Sequence, residues 1–128
     1  MRVEPLAQFL EDQGVGTLAT NIFVNFIPDE IAVGLMIHSG LMQTKIDAEL
    51  PGYRAGASFQ IVVRAQQYEP GYALIQAAMD AITTEQRLQL GNMLFNFIRP
   101  KHEPVVYPLS TGNLIELSVN FDCNYVIV

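Results

Sequence analysis

Two histidines, one cysteine and a short basic run are the residues whose types invite chemistry in this chain. Neither His38 nor His102 has another His, a Cys or a pair of acids at metal-ligand spacing. His38 closes an apolar stretch, where a surface or internally bonded histidine is the ordinary outcome. Cys123 stands among alternating apolar residues and reads as a small buried hydrophobe; a lone cysteine also excludes an internal disulfide framework. Arg99, Lys101 and His102 form a small basic cluster in an acidic protein. It is either a solvated group or a local contact for an acidic partner or DNA. Nucleophile-elbow, phosphate-loop and HExxH patterns are absent, and Gly14–Val15–Gly16 lacks the third glycine and the preceding strand of a dinucleotide loop. The acids are dispersed, so no pair is singled out for acid–base work. No catalytic residue, metal or cofactor is expected.

The bulk properties narrow the class further. The net charge of −6 argues against nucleic-acid binding as the main activity, because neutralising phosphates requires clustered Lys and Arg. Half of the 128 residues are hydrophobic and 16% are charged, a globular composition rich enough to imply apolar surface buried by partners. The length suits one domain spanning 1–128. No apolar run approaches the roughly 20 residues of a membrane span. The opening MRVEPLAQFLEDQG carries acids and no long apolar region, unlike a signal peptide, so synthesis and folding in a cytoplasm are expected.

The elements that must hold these residues are organised around Ser58 to Thr83. Phe59, Ile61, Val63 and Ala65 alternate with Gln60, Val62, Arg64 and Gln66, which predicts a central strand whose second face is partly covered. Tyr72, Ile75, Met79 and Ile82 recur at helical spacing, with Pro70 in the first turn, and predict an amphipathic helix over 70–82. Upstream, an apolar stripe with Pro5 predicts a helix over 2–13 stopped by Gly14. NIFVNFIPD and Ile31–His38 read as two strands joined in a hairpin. Residues 40–57 read as a long loop, either packed over its own core or functional and flexible through Gly40, Gly52 and Gly56. Residues 84–90 are polar and helix-permissive. Met93–Arg99 reads as a strand, and the prolines of 100–109 predict an extended edge segment. STGN reads as a turn. Ile115, Leu117, Val119, Phe121, Cys123, Tyr125 and Ile127 alternate with polar residues, which predicts one long final strand. Ile61, Val63, Ile75, Met79, Leu117, Val119 and Phe121 are expected to be buried together. The fold class is α+β.

Unpaired apolar residues in irregular segments are the candidates for a partner interface. Leu41, Met42, Ile46, Leu50 and Tyr53 lie in 40–57, and Val105, Val106, Tyr107 and Leu109 lie in the proline-broken segment.

Three stretches carry a resemblance. The N-terminal helix followed by GVGTL and NIFVNFIPD, the middle FQIVVRAQQYEPGY, and the ending PLSTGNLIELSVNF together resemble the tail-terminator or tail-completion proteins of long-tailed bacteriophages. The likeness runs over nearly the whole chain and rests on the order and spacing of short motifs; segment 40–57 matches only in its Gly and Pro punctuation. It implies a mixed, mainly antiparallel sheet flanked by an N-terminal and a central helix. It also implies a ring of six copies that caps a non-contractile tail tube and receives a head-completion or connector protein, with no cofactor or catalytic residue. The location implied is the virion neck, with DNA sliding through an acidic lumen without specific binding. On that basis residues 40–57 are expected to meet the tube. Other readings of the same residues are a connector stopper, a tail-tube subunit, or a small-ligand domain with its pocket between helix 70–82 and the sheet.

Overall fold

The computed structural model describes residues 1–40, 44–107 and 114–128. Among these, two helices and eight strands run in the order α1 (Glu4–Asp12), β1 (Ile22–Val24), β2 (Gly34–Ser39), β3 (Lys45–Ile46), β4 (Tyr53–Ala65), α2 (Tyr68–Ile82), β5 (Leu88–Leu90), β6 (Met93–Pro100), β7 (Val105–Tyr107) and β8 (Ile115–Ile127). The strands form one sheet ordered β1-β2-β4-β8-β6-β5, with β3 added to β4 and β7 added to β8. All pairings are antiparallel except β1 with β2. This is an α+β fold.

The two long strands β4 and β8 form the centre. Phe59 faces Phe121, Ile61 faces Val119 and Val63 faces Leu117 in register, and all six are fully buried. Strand alternation puts these pairs on one face of the sheet. Helix α2 closes that face with Ile75, Ala78, Met79 and Ile82, which join the same apolar cluster. The seven core residues expected from periodicity therefore meet as foreseen. Helix α1 adds Leu6, Ala7 and Leu10 and ends at Gly14, whose φ of +80° suits a residue without Cβ. At Gly71 the α2 backbone comes so near the sheet that a Cβ there would stand 2.9 Å from both Ala65 Cβ and Leu117 Cδ1. At this point the helix lies directly on the sheet, and among the described residues Ile75, Ala78, Met79 and Ile82 continue the contact into the apolar cluster.

Four expectations are corrected. First, β1 and β2 are parallel, with Ile22 opposite Leu35 and Val24 opposite Ile37, and do not form a hairpin. Asn25 adopts φ +69° and ends β1 early, and residues 25–33 then carry the chain back to the starting end of β2. Arg64 holds this return loop by donating to the carbonyl oxygens of Pro28 and Ile31 at 3.2 and 3.3 Å. Second, residues 40–57 are not one long loop. Strand β4 already starts at Tyr53, and β3 pairs with it, Lys45 opposite Ala55 and Ile46 opposite Arg54. Third, Gly40 and Gly56 of this segment are structural. Gly56, at φ +64°, lies in the register shift between Arg54 and Ala57 and makes a bulge, while a Cβ at Gly40 would collide with Ser58 Oγ. Fourth, residues 88–90 of the supposed helix-permissive stretch are β5, folded onto β6 through a turn at Gly91, φ +61°. The STGN turn lies outside the described residues.

Candidate functional site

The face of the sheet away from the helices carries ordered rows of a different chemistry. Gly34, Arg64, Glu116 and Tyr107 lie side by side across β2, β4, β8 and β7; so do Met36, Val62, Ser118 and Val105. The next row is His38, Gln60 and Asn120. It is extended by the Lys101 backbone N–H, which donates to the Asn120 carbonyl oxygen at 2.8 Å. Over this row opens a cleft of about 520 Å³ lined by His38, Ser58, Gln60, Lys101, Tyr107 and Asn120. The His38 ring is held at both nitrogens, by the Ser39 carbonyl oxygen at 2.8 Å and the Gln60 amide at 2.5 Å.

The basic cluster is not brought together as a cationic patch. Arg99 makes a two-pronged pair with Glu85, Nε to Oε1 and the second nitrogen to Oε2, both at 2.8 Å, and its guanidinium lies 4.2 Å from the Phe97 ring centre. The Arg99 hydrogen bonds hold the Glu85 carboxyl below its usual range, and Glu85 in turn raises Arg99. Both groups face water, so the pair adds little to stability. His102 accepts the Asn120 backbone N–H at 3.2 Å through Nε2 and donates from Nδ1 to the Glu103 carbonyl oxygen at 2.7 Å. Of the three, Lys101 is the residue that lines the cleft, and no hydrogen bond or ion pair of its side chain is found among the described residues.

The apolar interface candidates occupy two corners of the sheet. Ile46 and Leu50 are 68% and 59% exposed at the tip of the β3–β4 hairpin, and Tyr53 is half-buried at the start of β4 opposite Val126. The tip is ordered from within. The Asp47 carboxylate accepts the backbone N–H of Glu49 at 2.8 Å and of Leu50 at 3.3 Å, and Arg54 donates to the Pro51 carbonyl oxygen. These side chains are therefore neither on a floppy loop nor tucked into the core. Val105, Val106 and Tyr107, all exposed, lie on β7 at the outer edge of β8. Strand β3 borders the beginning of β4 and β7 borders the beginning of its antiparallel neighbour β8, so the two segments sit at diagonally opposite corners. Leu41, Met42 and Leu109 lie outside the described residues.

Sequence reasoning missed further exposed apolar groups. Phe26 is 63% exposed on the loop held by Arg64; Val33, Tyr68, Ile127 and Val128 are exposed as well. Phe26 had been counted as strand, whereas Asn25 before it and Pro28 after it are the signals of a turn.

Cys123 is buried, and its Sγ contacts the Ala57 carbonyl oxygen at 3.6 Å. Burial pushes the thiol up to about 12 from an ordinary 9.0, with Asp122 adding to it. Because the folded-state value lies above the unfolded one, the thiol's contribution is intact below about pH 9 and is lost as pH rises from there towards 12. The expected result is a native protein inert to thiol reagents at pH 8, with one equivalent reacting after denaturation. Fast labelling of the native chain would contradict the burial.

Among the described residues no group of His, Cys, Asp and Glu could hold a metal ion, and no helix is long and apolar enough to cross a membrane. What stands out is a rigid sheet with an exposed edge strand, an exposed hairpin tip and a polar cleft, the anatomy of an assembly subunit. The chain belongs to the bacteriophage tail terminator family, whose model matches residues 9–127. It is a structural protein of the phage tail. Among solved structures it is similar in fold to a chain from the virion of a native gene transfer agent particle, with a TM-score of 0.64, 14% identity and 94% of each chain covered. A second solved chain is 16% identical over 96% of each chain, with a TM-score of 0.44. No curated protein matches the sequence significantly.

Proposed function

We propose that this protein is a single-domain tail terminator that assembles as a ring of six copies on the last ring of the tail tube. There it stops tube growth and offers the surface on which a head-completion or connector protein docks. The observation that carries the reading is the pair of exposed apolar segments at opposite corners of one sheet. A closed ring joins unlike surfaces of neighbouring copies, so each subunit must present contact surfaces on more than one side. Edge strand β7, with Val105, Val106 and Tyr107 in water, is suited to the contact between copies. The ordered β3–β4 tip, with Ile46 and Leu50 standing out, is suited to the tube. Burying such side chains contributes roughly 1.5–3 kcal/mol each at best, less the cost of association, and six copies acting together make weak single contacts sufficient. Net negative charge keeps a DNA-conducting lumen from adhering to its cargo. The chain acts in the virion neck after synthesis in the host cytoplasm, and it needs no cofactor and catalyses no reaction.

Changing Ile46 and Leu50 together to serine tests the tip. Both are exposed, so stability should stay within about 0.5 kcal/mol of the parent. Tail joining in a complementation assay should nevertheless be lost. A large fall in melting temperature would assign these residues to the fold, and normal joining would remove the tip from the tube contact. Mass measurement in solution together with negative-stain images of isolated tails tests the ring itself. A ring of this chain at the head-proximal tail end is expected; tails carrying it only as a monomer would exclude the ring.

A further inference from the structure

The return loop between β1 and β2 is built like a knob. Arg64 reaches up from the sheet to the Pro28 and Ile31 carbonyl oxygens, and the Ile31 N–H closes the turn onto Pro28 O at 3.1 Å. This arrangement fixes Phe26 in water at 63% exposure, next to Asp29 and Glu30, two exposed acids for which no side-chain bond is found among the described residues. A large aromatic kept in solvent by a fixed loop has already lost the freedom that binding would otherwise remove. Aromatic anchors of this kind dominate protein interfaces when a partner offers a matching recess.

The cleft on the open sheet face is that recess in both size and charge. Its volume of about 520 Å³ exceeds what one phenyl ring requires, and it is bordered by β7, the edge already assigned to contact between copies. Its rim carries Lys101, while Tyr107 and Asn120 supply groups able to donate hydrogen bonds. In a chain of net charge −6, a recess with Lys101 and no carboxylate in its lining is locally opposite in sign to the knob.

We propose that the loop carrying Phe26, Asp29 and Glu30 of one copy inserts into the His38–Gln60–Lys101–Tyr107 cleft of the next copy. The phenyl ring enters the recess and the two carboxylates meet Lys101 at its rim. Knob and cleft are different patches of the same subunit, which permits a head-to-tail contact that repeats around a ring; a reciprocal pairing of two copies would instead close as a dimer. The inference rests on the ring reading above and specifies which surfaces make it. It also accounts for Arg64, a cation on the open sheet face whose hydrogen bonds go to the return loop.

Disulfide trapping on assembled tails tests it. In a Phe26→Cys/Tyr107→Cys protein, mild oxidation should yield a ladder of covalent species running beyond the dimer, and neither single variant should yield it. The native thiol stays silent because Cys123 is buried. Covalent dimer as the end point would overturn the head-to-tail arrangement. No cross-link in tails that still show rings by electron microscopy would overturn the knob-in-cleft contact while leaving the ring standing. Tails without rings even for the parent protein would overturn both. A charge-reversal pair supplies the second readout. Lys101→Glu should weaken association between copies at least about tenfold, more so at low salt, and combining it with Asp29→Lys and Glu30→Lys should restore most of that loss. Unchanged association in Lys101→Glu, or no recovery in the combined variant, would also overturn the contact.

Discussion

Replacing Phe121 by alanine is expected to cost about 3–5 kcal/mol of folding stability, among the largest single-residue effects in the core. Phe121 is fully buried and stacks on Phe59 with ring centres 4.7 Å apart and planes 8° from parallel. It stands on β8, which is held on one side by β4 and on the other by β6 and β7, so the surrounding backbone is braced and cannot collapse into the space left behind. The loss combines the apolar area no longer buried with an unfilled cavity and a forfeited ring stack. Domains are stable by only about 5–15 kcal/mol, so the variant would lose at least about a fifth of that margin, and all of it in a domain at the low end. Equilibrium denaturation in urea measures it. A cost below about 0.5 kcal/mol would mean that the faces of β8 have been assigned wrongly. Val106→Ala, on the exposed β7 edge, should change stability by less than about 0.5 kcal/mol in the same assay.

The second large effect works in the opposite sense, by adding volume. Gly71→Val should destabilise by about 1–3 kcal/mol even though glycine is a poor helix former. Exchanging a helical glycine for a residue with a side chain ordinarily gains up to about 1 kcal/mol. Here the new Cβ would stand 2.9 Å from Ala65 Cβ and 2.9 Å from Leu117 Cδ1. Leu117 has a rotatable end and can give way, but Ala65 has only its Cβ and moves only with strand β4. Valine then adds two methyl groups to a contact already too close, and the helix must lift from the sheet. Gly71→Ala should fall between the parent and valine, since the helical gain offsets part of the collision. A valine variant as stable as the parent would contradict the close approach of α2 to β4 and β8.

How much of this was legible in the sequence depended on whether a segment's own pattern sufficed to define it. Strand β8 carries apolar–polar alternation from Ile115 to Tyr125, broken only at Val126, and its bounds came out as Ile115–Ile127. Helices α1 and α2 had apolar stripes with prolines in their first turns, and both were found within a few residues. Short strands had no such pattern. Strand β3 is two residues long and β5 three, and each exists because a partner strand lies beside it. In β4 the bulge at Gly56 shifts the alternation by one step, so the half before Ser58 did not join the half after it. The parallel pairing of β1 and β2 turns on a single left-handed residue, Asn25, inside what looked like continuous strand.

The surfaces divide in the same way. Prolines around Val105–Tyr107 excluded a central strand and so pointed to an edge, which is where these residues lie. By contrast, nothing local to Arg99 announces that Glu85 neutralises it; that pair forms because a turn of chain brings residue 85 beside β6. The cleft was equally hidden, since His38, Gln60 and Asn120 come from three strands that only the sheet register aligns.

The central claim is that this chain stops a tail tube from growing. Tube length, measured by electron microscopy with and without the protein, tests that claim most directly. In particles lacking the chain, or made with the Ile46→Ser/Leu50→Ser variant, tubes should be longer than normal, variable in length and detached from heads. Supplying the parent protein should restore one uniform length and a ring at the tail end. Tubes of normal, uniform length joined to heads in the protein's absence would contradict the account.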